Sequence, residues 1–293
     1  MKKSYKYALL CILVVVVLVT GVSYYLNRSY TLPKVAWMYW NTPEQPALIQ
    51  QIHAYNRRRM VGWTIRFLNK ETVSEYIPAS AFPARYSTLK AAHQADWIRV
   101  YLLSEYGGVW MDASIIVNDA AALDRLWEES LSKGSEFTGF SLKNDRADCM
   151  SPRGVSLYIE NWFIMAPKES SILHLWREEY ERAIDLGFDA YREELKAKAV
   201  DVNLVFGTGE STYLTQHACL QSVLQKKLWW IPTMIVMHSE KDMFKLHGDS
   251  GWKEAAIMGI LREEPERARQ VPYIKLRSSE RSTGIDISEY LRG

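Results

Sequence analysis

The sequence predicts an α/β domain with a mostly parallel, mixed sheet, preceded by one transmembrane helix. Stretches with the composition of β-strands alternate with stretches of helical periodicity, an order typical of parallel sheets. Of the 293 residues, 48% are hydrophobic and 24% are charged, the balance of a globular protein with a real core. An uncharged apolar run lies close to the amino terminus, ahead of the first predicted strand.

That amino-terminal run predicts a membrane anchor. Residues 7–26 are about as long as a helix that crosses a bilayer, and they follow Lys2, Lys3 and Lys6. The lysines favour a cytoplasmic amino terminus and therefore a type II, single-pass protein, in the Golgi if eukaryotic and in the cell membrane if bacterial. A cleaved signal peptide is the alternative, because residues 20–23 offer small side chains to a peptidase.

The rest of the chain divides around this anchor. We expect a short flank at residues 1–6, a stem at 27–33, a catalytic domain at 34–277 and a polar tail at 278–293. The net charge of +2 provides no basic field for nucleic acid, so we expect no nucleic-acid partner. The three cysteines lack the CxxC spacing of zinc sites.

The domain begins with a β-α-β pattern. Residues 34–40 have strand composition and end at the turn signal Asn-Thr-Pro, residues 48–59 read as a helix, and residues 63–68 alternate like a second strand. Later strands are expected at 137–142 and 161–166, and later helices at 171–186, 191–199 and 213–226.

The most informative stretch lies between the strands predicted at 63–68 and 137–142. Apolar residues spaced for one helical face predict a helix over 91–106, which the glycine pair Gly107-Gly108 ends. A strand is then expected over 109–117. Within it, Asp112 and Ser114 lie two residues apart and therefore on the same side of the strand.

A carboxylate inside a buried strand needs a compensating cation. Ligands of open α/β sheets lie at the carboxyl ends of the strands. There, Asp112 and Ser114 would form a compact binding site for a divalent cation that also binds a diphosphate. On the preceding helix, Asp96 and Arg99 are three residues apart, as in pairs that bind sugar hydroxyls. An ordinary surface salt bridge is the alternative for Asp96 and Arg99.

Four segments together resemble a known family. They are KVAWMYW at 34–40, AHQADWIRVYLL at 92–103, YGGVWMDAS at 106–114 and NWFI at 161–164. In this order they resemble the capsular polysaccharide synthesis proteins, relatives of the sugar-binding DXD-motif glycosyltransferases of family 32. The resemblance covers roughly residues 34–276.

The resemblance implies a GT-A-like, Rossmann-related fold that transfers a sugar from a nucleotide-diphosphate donor, usually with Mn²⁺ or Mg²⁺ and with retention of configuration. Carried onto matching positions, it places Trp37 beside the nucleobase, Asp96 and Arg99 on the donor sugar, and Asp112 on the metal and diphosphate. Asn161 and Trp162 would line the sugar or acceptor side. Asp96, Arg99 and Asp112 are thus the expected catalytic residues.

One position departs from the wider family. Ser114 stands where a second aspartate is usual, which removes one negative charge from a cation site, although the capsular branch commonly has a small hydroxyl residue there. Candidates for a further metal ligand are His217, His238, Asp242 and His247. His238 and His247 are preferred because they lie in a loop-like region, where family members often place a late ligand.

Two basic residues near the carboxyl terminus could also reach the donor. Lys275 and Arg277 flank Leu276, and in an extended segment they would lie on one side, where they could close over the diphosphate. The alternative is that the side chains of Lys275 and Arg277 lie on a solvent-exposed edge without a binding role. The loop at 207–211 precedes a helix and could hold phosphate, although capping by Ser211 explains it better.

The sequence therefore predicts a membrane-anchored glycosyltransferase that acts on a glycan, glycolipid or lipid-linked polysaccharide acceptor. A non-catalytic nucleotide-sugar or glycan-binding protein on the same fold is the main alternative. A glycoside hydrolase would need two carboxylates facing each other across a cleft, and the sequence does not identify such a pair.

Overall fold

The computed structural model describes residues 31–141, 158–202, 212–228 and 232–293. The flank at 1–6, the anchor predicted at 7–26 and the loop at 207–211 lie outside these ranges, as does most of the stem. In the described ranges, no helix is both long enough and apolar enough to cross a membrane. The chain divides into Met1–Thr31 and Leu32–Gly293, and the sheet and its helices belong to the second unit.

The strands of the described residues fall into one large sheet and one small one. They are β1 (Val35–Tyr39), β2 (Thr64–Leu68), β3 (Gly108–Met111), β4 (Ile115–Val117), β5 (Phe137–Ser141), β6 (Ile159–Ala166), β7 (Met234–His238) and β8 (Tyr273–Lys275). The large sheet has six strands in the order β2-β1-β3-β6-β5-β7. β6 runs antiparallel to both its neighbours, while the β1–β2, β1–β3 and β5–β7 pairs are parallel. The prediction of a mostly parallel, mixed sheet is therefore confirmed.

The helices predicted at 48–59, 91–106 and 171–186 are present with nearly the expected bounds, those predicted at 191–199 and 213–226 are displaced or shortened by a few residues, and the helices after residue 244 were not predicted. They are α1 (Ala47–Arg59), α2 (Ala91–Tyr106), α3 (Ala120–Lys133), α4 (Ser171–Leu186), α5 (Phe188–Ala197), α6 (Thr215–Ser222), α7 (Lys245–Asp249), α8 (Glu254–Glu263), α9 (Pro265–Arg269), α10 (Ser278–Arg281) and α11 (Ser288–Arg292). α2 packs against α4, and α4 packs against α5 and α6.

Two glycines make the turn from α2 into β3. Gly107 has φ of 67° and Gly108 has φ of 102°, a backbone region that residues with a Cβ rarely adopt. A Cβ at Gly107 would lie 2.3 Å from the amide nitrogen of Lys168, and one at Gly108 would lie 2.5 Å from the carbonyl oxygen of Val35. Only glycine permits this close approach, which brings α2 directly behind the strand that precedes Asp112.

The single strand predicted over 109–117 is wrong. The structure has β3 and then β4, separated by a turn at 112–114, in which the amide of Ile115 donates to the carbonyl of Asp112 at 3.0 Å. β4 leaves the main sheet and pairs antiparallel with β8. Asp112 and Ser114 therefore lie in a turn at the end of β3, rather than within a continuous strand.

The carboxyl-terminal segment is part of the core. Ile287, Tyr290 and Leu291 are buried with residues of α1, α8 and β8 in an apolar cluster. The hydroxyl of Tyr290 also donates to Asn118 Oδ1 at 2.7 Å. The expected polar tail at 278–293 is therefore corrected, since apolar side chains spaced three and four apart anchor this segment to the domain.

Candidate active site

A cavity of about 570 Å³ lies at the carboxyl-terminal edge of the sheet. The ends of β1 and β3 open onto it, and so does the beginning of β6, because β6 runs in the opposite direction. α2 and the segment 275–281 form other walls. A ligand site was expected at this edge, and the predicted residues Asp96, Arg99, Asp112 and Asn161 all line the cavity.

Asp96 and Arg99 form a buried pair on α2. Arg99 Nη1 donates to Asp96 Oδ1 at 2.6 Å and to Gln216 Oε1 at 2.9 Å. Asn161 Nδ2 donates to the same two acceptors, at 3.1 Å and 2.7 Å. Asp96 is 7% exposed and Arg99 is 4% exposed, so the alternative of a surface salt bridge is excluded.

Asp112 is held from several directions. Its Oδ1 accepts from Arg99 Nη2 at 3.2 Å and from Trp110 Nε1 at 3.1 Å. Its Oδ2 lies 3.0 Å from Lys275 Nζ, and its backbone amide donates to the carbonyl of Trp162 at 2.9 Å. Asp112 thus links α2, β6 and β8 at one point of the cavity wall.

The cations that compensate Asp112 change its acidity. Burial alone would raise the pKa of Asp112, but Lys275 and Arg99 outweigh burial and lower the pKa below its usual value. Burial, together with the nearby cations Arg281 and Arg99, lowers the pKa of Lys275 even though the carboxylate of Asp112 raises it. Asp112 is therefore held in its ionised form.

Ser114 is fully engaged by protein atoms. Its Oγ donates to the carbonyl of Leu276 at 2.9 Å and accepts from Lys275 Nζ at 2.8 Å. Arg281 Nη1 lies 3.3 Å from the same Oγ and donates to the carbonyl of Leu276 at 2.9 Å. The turn after β3 is thus tied to the segment that follows β8.

The divalent cation expected from the resemblance needs a suitable set of oxygen or nitrogen ligands. Within the described residues, no three His, Cys, Asp or Glu side chains converge as a metal site. His238 is exposed at the end of β7, and the buried His247 has its Nε2 3.0 Å from Glu280 Oε1; neither lines the cavity. Asp112 and Ser114 already contact Lys275. The ligand set predicted from the sequence does not fit a divalent cation held by the protein alone.

Trp37 does not occupy the position expected from the sequence. Its side chain is 3% exposed, its Nε1 donates to the carbonyl of Gly107 at 2.8 Å, and Tyr76 packs against it. It lies in the core and not beside a nucleobase. The aromatic residue that follows β1 and lines the cavity is Trp40. Because side chains alternate along a strand, Trp37 and Trp40, three positions apart, point to opposite faces of the sheet.

The other predicted residues line the cavity. Trp162 does so with its ring stacked on Phe140, at 5.2 Å between centroids. Lys275 and Arg277 also line it, as their alternation predicted. Lys275 is 7% exposed, which excludes a solvated edge at that position, whereas Arg277 pairs with Glu280 at 2.7 Å.

Several residues of the site were not identified from the sequence, whereas His217, offered there as a candidate metal ligand, does line the cavity. Gln216 joins the Asp96–Arg99 pair from α6, and Arg281 reaches Ser114 from α10. Glu160 and His217 form another part of the wall, with His217 Nε2 3.8 Å from Glu160 Oε2. Neither ring nitrogen of His217 has a hydrogen-bond partner in the part of the chain that the structure describes. No short motif marks Gln216, Glu160 or Arg281.

The family model for capsular polysaccharide synthesis proteins matches residues 22–182, more than half of the chain. The chain therefore belongs to this family. The match includes α2, the Gly-Gly turn, Asp112 and the beginning of β6, which are the elements that build the Asp96–Arg99–Asp112 cluster.

Two curated relatives are named as glycosyltransferases. O-glycosyltransferase braB of Annulohypoxylon truncatum is 27% identical over 175 residues, covering 54% of this chain and 39% of the relative. O-glycosyltransferase PaGT of Phomopsis amygdali is 24% identical over 164 residues, covering 50% and 38%. The matched region thus spans about two fifths of the length of each relative.

Solved structures show a more distant likeness. A glycosyltransferase involved in glycosylation of the major capsid of PBCV-1 covers 89% of this chain and 100% of its own, at 11% identity and a TM-score of 0.38. The glycosyltransferase GlyE of Streptococcus pneumoniae TIGR4 covers 89% and 63%, at 14% identity and a TM-score of 0.37. Scores this low add nothing to the functional assignment.

Proposed function

We propose that this protein is a glycosyltransferase that moves a sugar from a nucleotide-diphosphate donor to a glycan, glycolipid or polysaccharide acceptor. The observation that carries the proposal is the Asp96–Arg99–Asp112 cluster, in which Asp96 and Arg99 are buried and which lines a cavity at the carboxyl edge of the sheet. Membership of the family and the two O-glycosyltransferase relatives support it. The six-stranded mixed sheet, in which β6 runs opposite to the other five described strands, is consistent with a GT-A-like fold.

In this proposal, α2 holds the donor sugar. Asp96 keeps a carboxylate at the cavity wall, with Arg99 and Asn161 fixing its orientation by hydrogen bonds. A carboxylate positioned in this way accepts hydrogen bonds from sugar hydroxyls without reorganising when the sugar binds. Such preorganisation lowers the entropic cost of placing the anomeric carbon beside the acceptor.

The diphosphate leaving group is placed at the turn after β3. Departure of the nucleoside diphosphate develops negative charge, and the cations beside Asp112 and Ser114 stabilise that charge in a partly dehydrated cavity. Asp96 and Asp112 are both ion-paired and are assigned to the donor sugar and the diphosphate end, and Glu160 is assigned to the acceptor, so the proposal assigns no carboxylate to a covalent intermediate. We therefore propose same-face substitution with retention of configuration. Mn²⁺ or Mg²⁺ has no step in this mechanism, because the ligands predicted for it do not fit.

Glu160 is the candidate for contact with the acceptor. It lines the cavity, and among the described residues it has no lysine or arginine partner within salt-bridge distance. A carboxylate without a paired cation accepts a hydrogen bond from a hydroxyl more readily than Asp96 or Asp112 does. In this proposal Glu160 orients the acceptor hydroxyl and takes up its proton as the new bond to the sugar forms, and His217 stands next to Glu160.

The cellular setting completes the proposal. Residues 7–26 would anchor the protein as a type II membrane protein, which places the acceptor near a membrane. In a eukaryote the domain would then work in the Golgi lumen, where nucleotide sugars are supplied. In a bacterium it would belong to the cell membrane.

A donor screen tests the proposed reaction. The full-length chain is incubated with a panel of UDP-, GDP- and CDP-sugars, and nucleotide release is measured beside Asp112→Ala and the control Asp189→Ala, whose side chain is 86% exposed. We expect release with at least one donor and no loss in the control. In Asp112→Ala we expect a loss of about 100-fold or more, because Arg99 and Lys275 lose the carboxylate that positions them. Nucleotide binding without release, under any condition, would instead favour a non-catalytic binding protein.

A further inference from the structure

Lys275 occupies the space between the two side chains that were expected to hold a divalent cation. Its Nζ lies 3.0 Å from Asp112 Oδ2 and 2.8 Å from Ser114 Oγ, and the residue is 7% exposed. A divalent cation would need these same oxygens at roughly 2.0 to 2.6 Å. An ammonium and a divalent cation cannot share them, because the two positive charges would lie almost in contact.

The hydroxyl of Ser114 has no remaining capacity for a metal. A serine oxygen has one proton to donate and two lone pairs to accept with. Here the proton goes to the carbonyl of Leu276, while Lys275 Nζ and Arg281 Nη1 lie at 2.8 Å and 3.3 Å on the accepting side. This serine therefore organises two cations and does not act as a metal ligand.

The charges of the cavity leave a positive excess. Four cations line the cavity, Arg99, Lys275, Arg277 and Arg281, against the three carboxylates of Asp96, Asp112 and Glu160. The guanidinium of Arg281 makes no ion pair with a carboxylate of the described residues, and the residue is half-buried. Its remaining N–H groups form the planar fork that suits phosphate oxygens.

The short helix that carries Arg281 is itself fixed by a buried carboxylate. Glu280 is fully buried and lies on the same short helix as Arg281. Its carboxylate accepts from the backbone amide of Arg277 at 2.6 Å and lies 3.0 Å from His247 Nε2. These contacts hold α10 against the domain and keep Arg281 directed at the turn after β3.

We propose that Arg281, positioned beside Lys275, supplies the positive charge that stabilises the donor's diphosphate, so that this chain binds and turns over its nucleotide sugar without a divalent cation. The inference rests on the proposed function and deepens it. Lys275 balances Asp112 and fixes Ser114, and Arg281 contacts the phosphate oxygens. Leaving-group stabilisation then comes from side chains in the cavity wall.

The first test needs no variant. The full-length chain is titrated with UDP and with GDP by calorimetry, in EDTA, in Mg²⁺ and in Mn²⁺. We expect the dissociation constant of the nucleotide that binds to agree within about threefold across the three conditions. Binding that requires Mg²⁺ or Mn²⁺ would overturn this inference and leave the proposed function intact. Failure of every donor and nucleotide to bind or react, with or without metal, would overturn both.

The second test assigns the charge to Arg281. In Arg281→Gln we expect nucleoside diphosphate to bind about 100-fold more weakly, while the nucleoside alone binds as in the wild type. Arg281→Lys keeps a positive charge and should recover part of the affinity, which separates the charge from a folding defect. Arg262→Gln, at a side chain that is 53% exposed, is the matched control. Wild-type affinity for the diphosphate in Arg281→Gln would contradict the assignment.

Discussion

Arg99 and Asp112 come from different elements and meet at the cavity wall, where Arg99 Nη2 lies 3.2 Å from Asp112 Oδ1. The same guanidinium holds Asp96 and Gln216 with its other terminal nitrogen. One arginine therefore connects the residues assigned to the donor sugar with the residue assigned to the diphosphate end. A planar fork is required to reach both carboxylates at once.

Replacing this fork by a single ammonium should separate the two parts of the site. In Arg99→Lys we expect kcat/KM for the donor to fall by about 100-fold, because one ammonium cannot bridge both carboxylates in the same geometry. Nucleotide release under subsaturating donor measures the effect. Arg125→Lys, at a side chain that is 66% exposed, is the control. Unchanged kcat/KM in Arg99→Lys would show that the bridge has no part in the reaction.

The Asp112–Lys275 pair should show energetic coupling. Asp112→Asn leaves the buried ammonium of Lys275 without its carboxylate, at a cost of about 3 kcal/mol in the free energy of unfolding. In the double variant Asp112→Asn with Lys275→Met, we expect the loss to be smaller than the sum of the two single losses, by about 1 kcal/mol or more. Urea unfolding of the four chains measures this coupling. Strict additivity would mean that the pair does not interact.

The turn between α2 and β3 should tolerate no side chain. Gly108→Ala places a Cβ 2.5 Å from the carbonyl oxygen of Val35, so we expect the free energy of unfolding to fall by at least about 3 kcal/mol. Gly62→Ala is a matched control, because Gly62 also has positive φ, at 86°, but a Cβ there meets no atom within 4 Å. It should cost only about 1 kcal/mol. Equal losses of stability in Gly108→Ala and Gly62→Ala would mean that backbone strain, and not the contact with Val35, destabilises the Gly108 variant.

Much of this fold could be predicted from the sequence, and the reasons are local. The helix over 91–106 has the predicted bounds because its apolar spacing and the following glycines act over short distances. The predicted strand at 109–117 failed for the opposite reason. Its break depends on Leu276, whose amide donates to the carbonyl of Ser114 at 3.0 Å and which lies far along the chain.

The residues of the site likewise divide into those that local sequence reveals and those that only long-range contacts bring into place. Asp96, Arg99 and Asp112 could be identified because they lie in one short segment with a recognisable pattern. Lys275 was identified as a cation, but its position against Ser114 arises only from the pairing of β4 with β8. Arg281 was assigned to a tail because nothing nearby in the sequence shows that Ile287 and Leu291 bury that segment.

Glu160 should affect transfer to the acceptor more than donor binding. In Glu160→Gln we expect transfer to fall by about tenfold to 100-fold, because the amide cannot take up a proton from the acceptor hydroxyl. The dissociation constant of the nucleoside diphosphate should stay within about twofold of the wild type. Product formation and calorimetry measure the two effects separately. A parallel loss of nucleotide affinity would place Glu160 on the donor side.

Acid should destabilise the helical layer behind the site through Glu179. Burial raises the pKa of Glu179, but hydrogen bonds from Arg182, Lys227 and Tyr191 outweigh burial and lower the pKa to about 2 from an ordinary 4.5. This carboxylate therefore contributes stability that is present above pH 4.5 and is lost as the pH falls towards 2, by about 3 kcal/mol in total.

Denaturant unfolding at pH 7, 5 and 3 checks this pH dependence. Glu179→Gln should be less stable than the wild type at pH 7 and should lose less of its remaining stability between pH 5 and pH 3. Glu128→Gln, at an exposed residue, should follow the wild-type profile. A wild-type pH profile in Glu179→Gln would assign the acid sensitivity to other carboxylates.

A crystal structure of the full-length chain soaked with the nucleoside diphosphate it binds, in the presence of EDTA, tests the central claim most directly. We predict density for the nucleotide in the cavity at the carboxyl edge of the sheet, with diphosphate oxygens within hydrogen-bond distance of Arg281 and next to Lys275. A nucleotide bound elsewhere on the domain, or a diphosphate that contacts neither cation, would contradict the account.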